Sequence, residues 1–298
     1  YDIVDHGQIN PELGGEPALR RLHEALRGNG VGLVLDIVPN HMGVGGSDNA
    51  WWMDVLEWGR QSPYATFFDI DWEPPDRGLT NRLLAPFLGA PYGEVLASGD
   101  LQLRYEPETG KFAAWYYEHR FPIAPQHYHH ILAAVDDSEF ARLAQEFGRI
   151  GLRQRDRAAA RADAERASAS LRSLAAREGG AAKVEAALAA FDAKADDGRD
   201  RLHRLLERQH YRLAWWRAAA DEINWRRFFD ITSLAGLRVE VPEAFDATHE
   251  LVLRLYAEGV IDGVRIDHVD GLADPRAYCR KLYRSMQSAR PDRTPLIW

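Results

Sequence analysis

The sequence predicts an α/β protein of alternating helices and buried parallel strands, closed as a (β/α) barrel or laid out as a doubly wound sheet. Two apolar runs carry the prediction. Residues 31–37 are nearly continuous in apolar side chains, the pattern of a parallel strand covered on both faces, and residues 260–266 repeat the plan as the next strand. Each follows a helix-like stretch and ends on polar residues, Asn40 and His41 in the first case and Asp267 and His268 in the second. Folds of this class build their sites from such residues at strand C-termini.

Residues 1–42 read as loop, helix, strand and loop. Pro17 suits a first helical position, Leu19, Leu22 and Leu26 form an apolar stripe, and Gly28 and Gly30 end the helix. Pro39 stops the strand that follows. Residues 43–230 then break the alternation. Their first part is rich in Gly, Pro and aromatics, with strand-like pieces at 101–105 and 112–117. Their second part reads as helical. Ser138 is placed as an N-cap ahead of Phe140, Leu143, Phe147 and Ile150, an Ala-, Arg- and acid-rich stretch covers 153–178, and Leu202, Leu205, Leu206, Leu213 and Trp216 make a further stripe. Turns are expected at Gly179-Gly180 and at 196–198. Two or three long helices forming an arm are expected here, with a coiled-coil partner surface as the alternative. Acids and bases alternate, which argues against a nucleic-acid arm. Residues 231–298 resume the first plan. Pro242 opens a helix carrying Phe245, Thr248, Leu251, Val252 and Leu255, and Gly259 closes it. Asp274 and Pro275 start another with Tyr278, Leu282 and Met286 inward, and 295–298 begin a further strand.

The 298 residues suffice for one large domain or two ordinary ones, and 46% are hydrophobic, enough for a sizeable core. The net charge of −8 argues against a broad nucleic-acid surface and leaves a neutral sugar open as a substrate. The single cysteine, Cys279, excludes an intrachain disulfide and a cluster of thiolate ligands, and reads as a structural thiol in a helix. No apolar run has the length of a membrane span, and a cytoplasmic location is expected. The chain opens without methionine, as an internal piece of a longer protein would. Nine tryptophans, among them Trp51, Trp52, Trp58, Trp72, Trp215, Trp216 and Trp225, suit either sugar stacking or core packing.

The chemistry gathers in two segments. Residues 36–41 place the carboxylate of Asp36, the amide of Asn40 and the imidazole of His41 at a strand end. In residues 262–268, Arg265 and Asp267 point the same way because side chains alternate along a strand. A guanidinium beside a carboxylate keeps it ionised, which a glycosidic nucleophile requires. Singly, Asp267 reads as a cap or ion-pair partner and His41 as a core histidine; the two segments together point to catalysis. The His-Asp-Asn cluster lacks the spacing of a tight metal motif, so no metal ligand is assigned and metal binding near Asn40 stays open. No glycine-rich phosphate loop follows either strand, which argues against a nucleotide-binding fold, and no cofactor is expected.

These motifs resemble the α-amylase superfamily, glycoside hydrolase family 13. The resemblance runs through Tyr1 and Asp2, residues 10–14, 36–41 and 263–267. Flanking text at 4–6, 51–56, 62–65, 67–72, 223–230, 234–240 and 267–275 resembles the maltooligosyltrehalose synthases more closely. The resemblance implies a partial (β/α)8 TIM barrel, with residues 1–42 around its third strand and 231–298 from its fourth strand to the start of its fifth. Residues 43–230 would be a large, mostly helical insertion. It implies that Asp267 is the nucleophile, Arg265 its electrostatic partner, and Tyr1, Asp2, His41 and His268 sugar-binding residues, with Asp36 and Asn40 shaping the loop. The substrate implied is a maltooligosaccharide whose reducing-end α-1,4 bond becomes α,α-1,1, with no nucleic-acid or membrane partner and with an enzyme that hydrolyses maltooligosyltrehalose acting on the product. The family's acid/base glutamate and third carboxylate have no counterpart among these residues, so the fragment is expected to be inactive alone. Another α-glucan hydrolase or glucanotransferase and a non-catalytic glucan-binding fragment are the alternatives.

Overall fold

The computed structural model describes residues 3–151 and 156–298. It opens with α1 (Gly15–Gly28), β1 (Val34–Ile37) and β2 (His41–Gly43). A long middle segment follows: α2 (Ala50–Trp58), β3 (Leu83–Leu88), α3 (Tyr92–Ser98), β4 (Leu101–Glu106), β5 (Lys111–Tyr116), β6 (His119–Pro122), α4 (Tyr128–Leu132), α5 (Ser138–Arg149), α6 (Arg157–Ala175), α7 (Gly180–Ala189), α8 (Asp196–Leu206), β7 (Tyr211–Trp215), α9 (Ala219–Glu222), β8 (Arg227–Phe228) and β9 (Ile231–Gly236). The chain finishes with α10 (Pro242–Ala257), β10 (Gly263–Ile266), α11 (Pro275–Ala289) and β11 (Leu296–Ile297).

The two apolar runs meet as parallel neighbours in a sheet ordered β1-β10-β11. Val34 pairs with Gly263 and Asp36 with Arg265, so the polar residues that follow both strands emerge at one end. Coverage on both faces is not what the structure has. The strands are shorter than the apolar runs, Val31 and Val34 are exposed, and α1 buries none of its residues. The reason is placement: β1 has a strand neighbour on one side, and its other edge faces an open cleft. By contrast α10 buries Phe245, Thr248, Leu251, Val252 and Leu255, the residues its sequence periodicity selects.

The middle segment builds three further layers. β2, β9 and β8 form an antiparallel sheet, β3 and β7 a parallel pair, and β4, β5 and β6 an antiparallel meander. Helix α2 drives Trp52 into the core against Phe68 and Trp225, which settles those tryptophans as packing residues. The helices do not project as an arm. The buried face of α6 is made of Ala160, Ala164, Ala167, Ser168, Leu171 and Leu174, small side chains that let its backbone approach the β4–β5 turn. There a Cβ on Gly110 (φ +70°) would lie 2.3 Å from the Ser168 carbonyl oxygen, so glycine is required. Arg161 of α6 grips Asp54 of α2 with both terminal nitrogens at 2.6 Å. Several local expectations change: residues 196–198 begin α8 instead of a turn, and Pro17 is the third residue of α1 because the helix starts at Gly15. The cap of α5 is Asp137, whose carboxylate accepts from the amides of Glu139 and Phe140, and Ser138 is the first helical residue. Leu213 lies on β7 rather than on a helix, because pairing with β3 fixes it as a strand, and Trp216 beyond it is 53% exposed.

Candidate active site

The site is assembled where β1 and β10 end. Register places Asp36 beside Arg265, and the amide of Asp267 donates to the carbonyl of Ile37 at 2.9 Å, locking the strand ends together. Arg265 bridges two carboxylates. Its Nη1 donates to Asp36 Oδ2 at 2.6 Å and its Nη2 to Asp267 Oδ1 at 2.9 Å. These bonds, the one to Asp36 foremost, hold the guanidinium above its ordinary pKa. Asp267 is buried, so it is oriented by a charged hydrogen bond in a place water reaches poorly. Its second oxygen, Oδ2, makes no hydrogen bond among the described residues and lies 3.2 Å from His268 Nε2. One carboxylate oxygen is fixed by Arg265, and the other is buried beneath the His268 imidazole.

His268 sits at φ +50° and ψ 45°, a left-handed conformation uncommon for a residue with a side chain. It turns the chain sharply after Asp267 and brings the imidazole back over the carboxylate. Aromatic contacts then lead to the other segment. The ring of His268 meets Phe228 at 4.5 Å, and Phe228 stacks on His41 at 4.1 Å with an interplanar angle of 22°. His41 is fully buried and belongs to β2, opposite Gly236 of β9, rather than to a loop after β1. Asn40 is buried beside it. Its carbonyl accepts from Leu237 N at 2.8 Å, and its side-chain oxygen accepts from Arg226 Nη1 at 2.9 Å. Arg226 in turn donates to the Leu237 carbonyl and to Asp69. A Cβ on Gly236 would lie 2.5 Å from the Arg226 guanidinium carbon, so a side chain at 236 would push Arg226 off its present bonds.

Asp36, Asn40, His41, Arg265, Asp267 and His268 are therefore gathered at one end of the β1–β10 pair. Tyr1 and Asp2 lie outside the described residues. Among the described residues no group of three or more His, Cys, Asp and Glu could hold a metal ion, and no helix is long and apolar enough to cross a membrane.

The family pattern "Alpha amylase, catalytic domain" matches residues 1–94. A putative maltooligosyl trehalose synthase of Mycobacterium tuberculosis is 36% identical over 95% of this chain and 26% of its own length. The solved maltooligosyltrehalose synthase from Arthrobacter ramosus superposes with a TM-score of 0.64 and 33% identity, over 100% of this chain and 28% of its own. A hypothetical maltooligosyl trehalose synthase of Sulfolobus tokodaii superposes at 0.61 with 26% identity, over 96% of this chain and 28% of its own. The chain matches the maltooligosyltrehalose synthases along nearly its whole length. It spans about a quarter of theirs. The match extends through the middle segment as well as the strand-end motifs.

Sequence reasoning passed over Phe228, Phe229 and Arg226 as site residues, although the run Trp225, Arg226, Arg227, Phe228, Phe229, Asp230 was noted for its likeness to this family. Phe228 ends β8 and Phe229 begins the turn after it. Phe228 inserts between His41 and His268, while Phe229, at φ +53°, is 74% exposed beside His268.

Proposed function

We propose that this chain is the part of a maltooligosyltrehalose synthase that carries the catalytic nucleophile. On this reading β1, β10 and β11 are the third, fourth and beginning fifth strands of a (β/α)8 barrel. Residues 1–42 and 231–298 are its barrel segments and 43–230 its insertion. The observation that carries the proposal is the asymmetry of Asp267: one oxygen held by Arg265, the other without a hydrogen bond and facing His268.

Asp267 Oδ2 attacks the anomeric carbon of the penultimate glucose, and the bond from that carbon to the terminal glucose breaks. A glutamate of the longer protein protonates the leaving oxygen, and the sugar remains as a glycosyl ester on Asp267. The released glucose turns in place. Its anomeric hydroxyl, deprotonated by the same glutamate, attacks the anomeric carbon of the ester from the opposite face, the bond to Asp267 breaks and the carboxylate is restored, so configuration is retained and the α-1,4 bond becomes α,α-1,1. His41 and His268 hydrogen-bond the sugars on either side of the broken bond, and Tyr1 and Asp2 complete the cleaved subsite. Phe228 and the exposed Phe229 keep water away from the ester, since water there would give hydrolysis. Asp36 holds the far side of Arg265, and Asn40 fixes the strand that presents His41.

The test is product analysis of the full-length protein incubated with maltopentaose. Loss of reducing ends without matching release of free glucose is expected. Stoichiometric free glucose would instead assign an α-glucan hydrolase, and an unchanged substrate would leave a binding role.

A further inference from the structure

Away from Asp267, the middle segment carries a second concavity of mixed aromatic and polar character. A cleft of about 450 Å³ runs beside β7, walled by Trp215, Tyr92, Arg212 and Glu222, and none of Asp36, His41, Arg265, Asp267 or His268 lines it. The indole of Trp215 is held in place: its N–H donates to the Gly89 carbonyl at 3.1 Å, and the Arg217 guanidinium lies 4.7 Å above its ring and 5.2 Å above Trp216. Tyr92 Oη lies 3.0 Å from His203 Nδ1. The side chains of Arg212 and Glu222 make neither a hydrogen bond nor an ion pair among the described residues, although both residues line the cleft. A neighbouring concavity of about 480 Å³ shares Asp76, Leu79 and Glu222 with the first and reaches Arg226, the residue that anchors Asn40. The two concavities adjoin along this shared wall.

An indole face set beside an unpaired guanidinium and an unpaired carboxylate suits a pyranose. The ring's axial C–H groups pack on the indole, and neighbouring hydroxyls match the two-pronged geometry of the planar charged groups. Asp76, Glu207 and Glu222 set three carboxylates against the one guanidinium of Arg212, which disfavours an anionic ligand, whereas a polyhydroxylated neutral chain can donate to the carboxylates and accept from the guanidinium.

We propose that this cleft is a second α-glucan-binding site, holding a length of the chain outside the reacting subsites. The proposal rests on the reading of the protein as α-glucan-active, and its test separates the two. Isothermal titration of maltoheptaose into the full-length Asp267→Asn protein is expected to show two binding events. Adding Trp215→Ala removes one of them, and adding the surface change Glu222→Gln weakens the same event about tenfold. In the otherwise unaltered protein, Glu222→Gln raises KM for long glucans about tenfold, leaves kcat unchanged and leaves KM for maltotetraose unchanged. Two events that survive both substitutions, or an equal loss on long and short substrates, overturn the second site. Because Glu222 is exposed, the Gln variant answers the question even where Trp215→Ala does not fold. The titration is read independently of which product forms, so a protein that turns out to hydrolyse its substrate leaves this test intact.

Discussion

The parallel sheet and the middle segment solve opposite problems. The sheet that presents Asp36, Arg265 and Asp267 is thinly covered: Val34, Leu296 and Trp298 are exposed, and α1 contributes no buried side chain. The middle segment is densely packed, with Trp52, Phe112, Phe147 and Tyr128 fully buried. It also joins α2, β5 and α6 through charged pairs such as Arg161–Asp54 and Lys111–Glu57. On the proposed reading, chemistry falls to the part whose own core is small, and cohesion to the part between its strands. The difference teaches that the two regions respond to substitution in different currencies, activity in one and stability in the other.

Asp267→Asn in the full-length protein is the sharpest probe of the first region. An amide cannot form the glycosyl ester, so turnover is expected to fall roughly 10⁴-fold. The melting temperature should stay within a degree or so of the parent, because the Arg265 bond to Oδ1 is kept. A variant that loses activity and melts early would mean that Asp267 serves the fold, and the comparison would collapse.

The second region is broken at Lys111. Its Nζ lies 3.3 Å from Glu57, which is buried, and 3.1 Å from Glu165. Burial pushes the Glu57 carboxyl pKa up against the opposing pull of Lys111. Lys111→Met leaves that carboxylate buried without its cation and is expected to cost about 3–5 kcal/mol in chemical denaturation. The double variant Glu57→Gln with Lys111→Met should recover most of the loss, since no uncompensated charge remains. Turnover of the folded fraction should not change in either variant; a change would show that the insertion's ion pairs reach the site.

How much of this was legible in the sequence follows from which forces act locally. The α10 face, the Asp274 cap and the polar ends of β1 and β10 were readable because periodicity, capping and strand alternation are near-neighbour effects. The pairing of Arg265 with Asp267 followed from alternation alone. Its second bond, to Asp36, needed the register of two strands 229 residues apart, which no local rule supplies. The same limit explains β7: Leu213 continues a helical stripe by spacing, yet partnership with β3 makes it a strand. It also explains the folded-back helices, because an Ala-rich face looks too weak to pack until Gly110 supplies a backbone it can touch. His41 was assigned to a loop because its strand partner, Gly236, lies 195 residues on in the chain.

The smallest expected effect tests whether the two regions unfold together. His249 of α10 is buried and neutral: Nδ1–H donates to the Phe245 carbonyl at 2.9 Å, and Nε2 accepts from the Tyr278 hydroxyl at 2.8 Å. Burial, aided by Lys281 and opposed by the Phe245 carbonyl and Asp246, lowers its pKa from 6.5 to about 4. His210 of the middle segment is lowered to about 4 by burial and by Arg82. In each case the unfolded chain takes up a proton near pH 6.5 and the folded one does not until about pH 4. The stabilising difference is thus complete above pH 6.5 and is lost as pH falls toward 4. Between pH 6.5 and 5 each histidine accounts for roughly 2 kcal/mol of that loss. Glutamine retains a donor and an acceptor and has no proton to take up, so His249→Gln and His210→Gln should each flatten the acid limb of the melting curve by one histidine's share. If a single transition flattens equally in both variants, the thin sheet and the dense segment unfold as one cooperative unit. If two transitions separate and each variant moves only its own, the site-bearing strands are held by a stability of their own, and Asp267 is positioned without help from the insertion's core.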